Sequence, residues 1–442
     1  MVRYQPPADW QQWVEWLAAG LHGRNRWRLS LVVMGIVFAR GRRTVTTWLR
    51  AAGIQDDFAN YYYFLQPLGR KARELAARLL ALLLVRLQIG DRVLFAVDDS
   101  PTKRYGPKVQ GAGIHHNPTP GPADQQFLYG HIWVTFSLVL RHPLWDTIGL
   151  PLLGLMYVRA KDIVKIPAKH QWEFRTKLQL AVQQMLSFAE LVKAAGKTVW
   201  VVADGAYAKR PFLKPLRAAK VVVVSRLRKD AALFDLPSAR QRRGRGRPRK
   251  YGPKRMRLAP RAAHPLGWTT VECFIYGQCV TKTFKTFLAT YRPADGVIRV
   301  VIVKEERGCQ FFFCTDPQAT PREIIEAFAD RASIEQDFHD VKEVWGAGQQ
   351  QVRNIWTNIA AFNLNLWVHT LVECWAWNKS VESIRDRQDS PWDDAERRPS
   401  HADRRKALRR ETLHNEYLSL SASHRCSSKI RELYQCLLQL AA

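Results

Sequence analysis

Charged side chains that could bind a phosphate or a metal ion recur along one face of a predicted helix late in the sequence. In FADRASIEQDFHDVK, residues 328–342, a helical spacing of about 100° per residue puts Phe328, Arg331, Glu335 and Lys342 within roughly 60° of each other. An apolar stripe beside them predicts the face that packs into the core: Ala327, Ile334, Phe338, Val341 and Trp345. A carboxylate flanked by two cations at the edge of such a stripe indicates a site.

Further carboxylates stand at the ends of two predicted strands. Asp98 and Asp99 follow the apolar residues FAV, and Asp204 follows VVA. In a mixed α/β fold the acids of such strands collect near one edge or end of the sheet. Nucleases that hold two divalent ions need about three carboxylates from different elements, so that the ions can clamp the attacking and leaving oxygens. Asp98, Asp204 and Glu335 are therefore the candidate catalytic and metal-binding residues.

Two alternatives stay open at this point. Successive residues of a strand point to opposite faces, so either Asp98 or Asp99 could be the ligand. We favour Asp98, with Asp99 as the alternative, because Asp98 is the last residue of the apolar run. Taken alone, a strand-end aspartate is more often a turn or cap residue, and Arg331 and Glu335 are compatible with a simple ion pair four residues apart. Together these residues indicate catalysis.

The predicted elements around these residues have the order of a mixed α/β domain. Residues 1–90 are predicted to form a helical N-terminal DNA-binding region, in which RGRRTVTTWLRAAGI is similar to the start of a helix-turn-helix. Three strands, a helix, a strand, a helix and a strand follow within a catalytic domain at 91–376. A β-rich stretch at about 229–318, with turn signals between its strands, predicts an insertion in that domain. Residues 377–442 are predicted to be a basic C-terminal tail.

In these residues the chain resembles the DDE transposases of bacterial insertion sequences, which belong to the ribonuclease H-like and retroviral integrase superfamily. One branch of that family carries the YREK signature, Y-x2-R-x3-E-x6-K, on its last catalytic helix. Arg331, Glu335 and Lys342 match the signature in type and spacing, and Phe328 stands in place of its tyrosine. The stretches FAVDDSPTKRYG and VVADGAYAKRPF are similar to the two aspartate strands of the family.

The resemblance covers roughly residues 90 to 376 and implies both a fold and a reaction. The implied fold is a ribonuclease H-like mixed sheet with flanking helices and a β-rich insertion, here joined to a helical N-terminal region. Asp98, Asp204 and Glu335 would bind two Mg²⁺ ions, which Mn²⁺ can replace, and Arg331 and Lys342 would hold the phosphates of the transposon end. The implied reaction is metal-dependent cleavage at the transposon ends, followed by transfer of the 3′-hydroxyl into target DNA. A homodimer assembled on double-stranded DNA is implied as well.

The charge of the chain supports a nucleic-acid partner. A formal net charge of +29 and a pI near 10.2 predict binding to a polyanion, here double-stranded DNA. The segment RRGRGRPRKYG resembles an AT-hook, whose minor-groove contacts would come from Arg245, Arg247, Arg249 and Lys250. The alternative is a basic loop that contacts phosphates without choosing sequence. Trp268 is a candidate to stack on a base flipped out near the cut, with a place in the core as its alternative.

Several function classes are excluded or kept as alternatives. No apolar run approaches the ~20 residues of a spanning helix, and the first residues lack the layout of a secretory signal. Seven cysteines without a CxxC pair are typical of reduced thiols in a cytosolic protein. The resemblance implies the bacterial cytoplasm as its location, with action on the nucleoid and not on a membrane. The alternatives to a transposase are a ribonuclease H-like nuclease without strand transfer and a transposase-derived DNA-binding protein that has lost catalysis.

Overall fold

A single twelve-stranded sheet forms the centre of the molecule. The computed structural model describes residues 4–117, 125–237, 249–385, 394, 397–421, 434 and 437. The strands are β1 (Arg92–Lys103), β2 (Gly113–His116), β3 (Phe127–His142), β4 (Asp146–Tyr157), β5 (Thr198–Ala203), β6 (Val222–Arg226), β7 (Leu233–Phe234), β8 (Arg255–Met256), β9 (Thr269–Ile275), β10 (Gln278–Tyr291), β11 (Gly296–Glu305) and β12 (Gly308–Cys314).

Helices precede, connect and follow these strands. Before the sheet come α1 (Ala8–Ala18), α2 (Gly23–Phe38), α3 (Val45–Ala51), α4 (Phe58–Arg70) and α5 (Ala72–Arg86). Between strands lie α6 (Lys177–Ala194), α7 (Arg210–Ala218) and α8 (Leu258–Ala263). After the last strand come α9 (Pro321–Asp330), α10 (Ala332–Glu343), α11 (Ile355–Ala376), α12 (Val381–Ile384) and α13 (His401–Ser421). Within the described residues, no helix is long and apolar enough to cross a membrane.

The strand order is that of a ribonuclease H-like fold. Strand β1 pairs antiparallel with β3, and β3 pairs antiparallel with β4. After α6 the chain returns to place β5 parallel to β1, and after α7 it places β6 parallel to β5. The resulting order β4-β3-β1-β5-β6, with helices as the parallel connections, confirms the predicted fold class.

The β-rich stretch extends this sheet. Strand β12 pairs antiparallel with β6, β11 with β12, and β10 with β11, so the sheet continues outward from its ribonuclease H-like part. Strands β7 and β9 both pair with β10. The segment predicted as an insertion therefore adds strands to the edge beside β6. The bounds of this insertion, about 229–318, stay a prediction. The same holds for the bounds of the three predicted regions, 1–90, 91–376 and 377–442.

The N-terminal helices share a core with the sheet and with α11. Buried residues from α1, α5, β3, α11 and α13 contact one another in one cluster, which includes Trp10, Leu79, Phe136, Leu364 and Leu408. Helices α4 and α11 cross at main-chain distance, since a Cβ added at Gly69 would lie 1.9 Å from the carbonyl oxygen of Trp356. The core thus runs from the first helix to the last.

Helix α13, in the predicted basic tail, is anchored by buried arginines. Arg405 donates from Nε to the Val37 carbonyl at 3.0 Å and from Nη2 to the Ala39 carbonyl at 2.7 Å, and Arg409 donates to the same two oxygens. These carbonyls lie at the C-terminal end of α2, where the carbonyl groups of the last helical turn have no backbone N–H partner within the helix. Part of the positive charge of this region therefore serves packing.

Candidate active site

Strand register sets Asp98 beside Asp204. Strands β1 and β5 run parallel, and their last paired residues are Val97 and Ala203. Asp98 and Asp204 each follow directly, one still within β1 and the other just beyond β5. Adjacent strands lie about 4.8 Å apart, so the two carboxylates emerge side by side from the middle of the sheet.

The helix predicted to carry Arg331 and Glu335 is divided in two. Thr320 caps α9 by accepting a hydrogen bond from the Glu323 N–H, but α9 ends at Asp330 and α10 begins directly after Arg331. The hydroxyl of Ser333 donates to the Asp330 carbonyl at 2.8 Å, which competes with the regular helical bonds at this turn. Arg331 keeps helical dihedrals, φ −56° and ψ −28°, so the two charged side chains still share a face.

Arg331 joins the strand to the helix. Its Nη1 donates to Asp98 Oδ2 at 2.8 Å, and its Nη2 donates to Glu335 Oε1 at 2.6 Å. The Arg331 side chain is 15% exposed and that of Asp98 is 21% exposed, whereas that of Glu335 is 59% exposed. Two carboxylates from elements far apart in sequence therefore lie within the reach of a single guanidinium.

The pKa of the Asp98 carboxyl is raised. Burial raises the pKa of Asp98 to about 6, against an ordinary value of 3.8. The Asp99 N–H, which donates to Asp98 at 2.8 Å, and the Arg331 guanidinium both favour the ionised form. The neighbouring Asp99 and Asp204 carboxylates oppose it. Burial and like charge together dominate, as is common where carboxylates gather at a site.

Asp99 faces the other side of the sheet. Its Oδ2 accepts from Lys177 Nζ at 2.6 Å, at the start of α6, and its Oδ1 accepts from the Tyr207 hydroxyl at 3.4 Å. Burial, then Asp99, raises the pKa of Tyr207 well above its ordinary value. Sequence reasoning missed Lys177 and Tyr207. The geometry favours Asp98 over Asp99 as the partner of Glu335.

The remaining residues of the signature, Phe328 and Lys342, lie before and after Arg331 and Glu335 on α9 and α10. Phe328 packs against Phe312 of β12, and the guanidiniums of Arg331 and Arg226 lie 5.5 and 6.0 Å from the centre of its ring. Lys342 is half-buried at the far end of α10 and has no hydrogen bond or ion pair with any described residue. Burial lowers the pKa of Lys342. A half-buried cation of this kind is suited to an anionic ligand.

The predicted DNA contacts outside α10 are only partly within the described residues. Arg245 and Arg247 lie outside them. Lys250 pairs with Asp295 at 2.7 Å, and Arg249 also has a partner. Trp268 is half-buried immediately before β9, with the Lys285 ammonium 4.5 Å from the centre of its ring. Their roles in binding DNA stay predictions.

A second polar cluster, missed from the sequence, lies behind α10. The rings of His369 and His401 stack 3.8 Å apart, and Glu373 accepts hydrogen bonds from His401 Nδ1 and from Arg404. The indole N–H of Trp345 donates to His401 Nε2 at 2.7 Å, which keeps the ring proton on Nδ1. That proton occupies the lone pair that a metal would need, so the cluster is a hydrogen-bond network joining α11 and α13 to Trp345, just beyond α10. The spacing of His369 and Glu373, four apart, is the signal that could have indicated it.

The carboxylates of the first cluster fit divalent metal ions. Mg²⁺ prefers hard oxygen ligands supplied by one or two carboxylates, and Asp98, Asp204 and Glu335 offer only such oxygens. One guanidinium, that of Arg331, contacts Asp98 through Nη1 at 2.8 Å and Glu335 through Nη2 at 2.6 Å, so these two carboxylates already lie on either side of one cation. The arrangement is therefore compatible with metal-dependent attack on a phosphodiester.

Comparison with known proteins identifies a family for the chain. The profile of a family described as DDE superfamily endonuclease matches residues 17–286. The matched range contains Asp98 and Asp204 and ends before α10. No curated protein matches the chain.

Proposed function

Because the chain belongs to the family of DDE superfamily endonucleases, we propose that it is a DNA transposase of a bacterial insertion sequence in the YREK branch. It cleaves DNA at the ends of the element and transfers the freed 3′-hydroxyl into target DNA. The observation that supports the proposal best is the double contact of Arg331 with Asp98 and Glu335, beside strand β5, which Asp204 directly follows.

The three carboxylates would hold the metal ions. Asp98, Asp204 and Glu335 would bind two Mg²⁺ ions, or Mn²⁺ in their place, and such ions supply charge neutralisation at the phosphate and activation of the attacking oxygen. The chain itself supplies the positioning. Arg331 and Lys342 bind phosphates of the transposon end, the former through a planar fork that suits two phosphate oxygens.

The proposed partners follow from the reaction. Double-stranded DNA, as transposon end and as target, binds the basic surface of a chain with a net charge of +29. Cutting both ends in one complex requires two active sites, so a homodimer on DNA is part of the proposal. The cell compartment proposed is the bacterial cytoplasm, at the nucleoid.

A plasmid carrying the coding frame and its flanking genomic DNA tests the function. With Mn²⁺ or Mg²⁺ the protein should cut at the two borders of the element, and pre-cut ends should join a second plasmid. Asp204→Asn should abolish both steps and leave DNA binding largely intact, whereas Asp230→Asn, at an exposed site, should retain them.

The alternatives give different results. Cutting without joining of pre-cut ends would identify a nuclease. DNA binding without any cutting by the parental chain would identify a DNA-binding protein that has lost catalysis. Cleavage by Asp204→Asn at near the parental rate would refute the assignment of the site.

A further inference from the structure

Arg331 holds the position between two carboxylates that a shared metal ion would need. We propose that Arg331 is an internal competitor of the metal ion, which a DNA phosphate draws away, so that metal binding and DNA binding at this site reinforce each other. The inference rests on the proposed function and concerns the regulation of the same site.

The contacts of Arg331 differ from those of a simple ion pair along a helix. Glu335 is four residues away on the same face, but Asp98 is 233 residues away on β1. Both carboxylate oxygens that face Arg331 are within 2.8 Å of it, and the guanidinium cannot lose its proton. Its positive charge therefore stabilises the two carboxylates in the same way as a bound cation would. A metal ion can use these oxygens only after the guanidinium has moved.

The Arg331 side chain also has a hydrogen-bond donor without an acceptor in the described part of the chain. The Nε of Arg331 is buried and has no hydrogen-bond partner among the residues that the structure describes, so the two carboxylates pair only with the terminal nitrogens of the guanidinium. A phosphate can accept from Nε and one terminal nitrogen at the same time. Binding a phosphate would therefore satisfy a donor that the two carboxylates leave unpaired.

A location for that phosphate is available next to the carboxylates. The guanidiniums of Arg331 and of the exposed Arg226 both lie against the ring of Phe328, and the backbone of Arg226 lies next to Gly205, directly after Asp204. A phosphate bound beside Phe328 would therefore lie near two guanidiniums. Movement of Arg331 toward this phosphate would release Asp98 and Glu335 together.

By linkage, a phosphate that displaces Arg331 must raise the affinity for metal by the same factor as metal raises the affinity for DNA. The coupling weakens metal binding to the carboxylates until DNA is in place. It also makes a direct prediction without any DNA. Loss of the Arg331 charge should by itself tighten metal binding.

The test is a Mn²⁺ titration of the full-length protein without DNA, in which free Mn²⁺ is followed by electron paramagnetic resonance. Arg331→Gln should bind Mn²⁺ about 5- to 150-fold more tightly than the parental protein, the range typical of coupled sites. Arg141→Gln is the matched control. Arg141 also bridges two carboxylates, Glu326 at 3.3 Å and Asp330 at 3.1 Å, but neither belongs to the site. It should leave the Asp98-dependent binding unchanged.

The outcomes separate this inference from the proposed function. If Mn²⁺ binding by the parental protein does not depend on Asp98, measured with Asp98→Asn, the proposed function itself fails. If it depends on Asp98 but Arg331→Gln binds no more tightly, only the inference is overturned, because a merely structural arginine would give unchanged or weaker binding.

If the Arg331→Gln variant does not fold, as judged by near-ultraviolet circular dichroism, a second measurement on the parental protein tests the inference. On the parental protein, a short duplex containing the border of the element should lower the Mn²⁺ concentration at half-saturation by a factor in the same range. No change on adding the duplex would overturn the inference.

Discussion

At the scale of single residues, Asp98 and Asp99 are neighbours whose side chains face different parts of the molecule. Asp98 shares its face of β1 with Leu94 and Ala96, which pack toward α10. Asp99 shares the other face, toward α6 and Lys177. Strand alternation thus gives one aspartate to the proposed metal site and the other to a supporting contact.

We therefore expect Asp98→Asn to reduce metal-dependent cleavage by more than the roughly 10- to 100-fold that loss of an outer partner of a metal site costs. Asp99→Asn should stay within that range, because Asp99 acts through Lys177 and Tyr207. Single-turnover cleavage of a labelled border duplex measures both. Full loss in Asp99→Asn together with activity in Asp98→Asn would reverse the assignment.

A buried carboxyl on α10 should make stability depend on pH. Burial raises the pKa of Asp337 to about 7, and the Ser137 hydroxyl donates to it at 2.7 Å. Because the ordinary pKa is 3.8, the folded state binds more protons than the unfolded state between about 4 and 7. This group's contribution to the free energy of unfolding is therefore present at low pH and is lost as the pH rises through 7.

Asp337→Asn should remove that contribution, so its melting temperature should fall less between pH 5 and pH 8 than that of the parental protein. Thermal melts followed by circular dichroism at the two pH values measure the difference. Asp56→Asn, at an exposed position, is the control and should behave like the parental protein. An equal fall in Asp337→Asn and the parental protein would contradict the expectation.

The types and spacing of Arg331, Glu335 and the strand-end aspartates were readable from the sequence, because helix and strand periods are local properties. The contact of Arg331 with Asp98 was not, since it depends on how α10 packs on the sheet. Local spacing also could not decide which aspartate faces α10. The hydrogen-bond network at Glu373 was missed because α11 is apolar nearly throughout. Such a pattern favours the interpretation that the helix serves only as part of the core.

At the scale of elements, the strands were predicted more accurately than the helix ends. The apolar runs that end in Asp predicted β1 and β5, and the β-rich stretch at about 229–318 contains β7 to β12. The single helix predicted around Arg331 and Glu335 is divided into α9 and α10, where the Ser333 hydroxyl donates to the Asp330 carbonyl. Hydrophobic periodicity does not reveal such a local contact.

Helix α13 offers a test of how elements are held together. Arg405 donates to carbonyls of Val37, Ala39 and Val344, so Arg405→Met keeps the apolar stem but removes all three hydrogen bonds. We expect a loss of about 1.5–3 kcal/mol in the free energy of unfolding, the range for hydrogen bonds to charged groups. Urea denaturation measures it, with the exposed Arg50→Met as control. A loss no larger than that of the control would indicate that α13 is held by apolar contacts alone.

At the scale of the whole molecule, the excess of positive charge should make DNA binding strongly dependent on salt. A protein that neutralises several phosphates loses about 10³- to 10⁵-fold in affinity between 50 and 200 mM salt. Arg247→Ala should weaken binding and reduce the slope against log salt by about 1 if Arg247 contacts a phosphate. Fluorescence anisotropy with AT-rich and GC-rich duplexes measures both quantities. A larger loss on AT-rich DNA would indicate minor-groove recognition, and no loss on either duplex would exclude a role for this arginine.

The crossing of α4 over α11 at Gly69 has a mechanical consequence. The Cα of Gly69 lies against the Trp356 carbonyl oxygen with no side chain between them. The N-terminal helices therefore cannot rotate independently of α11. If the N-terminal helices move to close on DNA, α11 must move with them. A methyl group at that position would collide with the Trp356 carbonyl oxygen and push α4 away from α11.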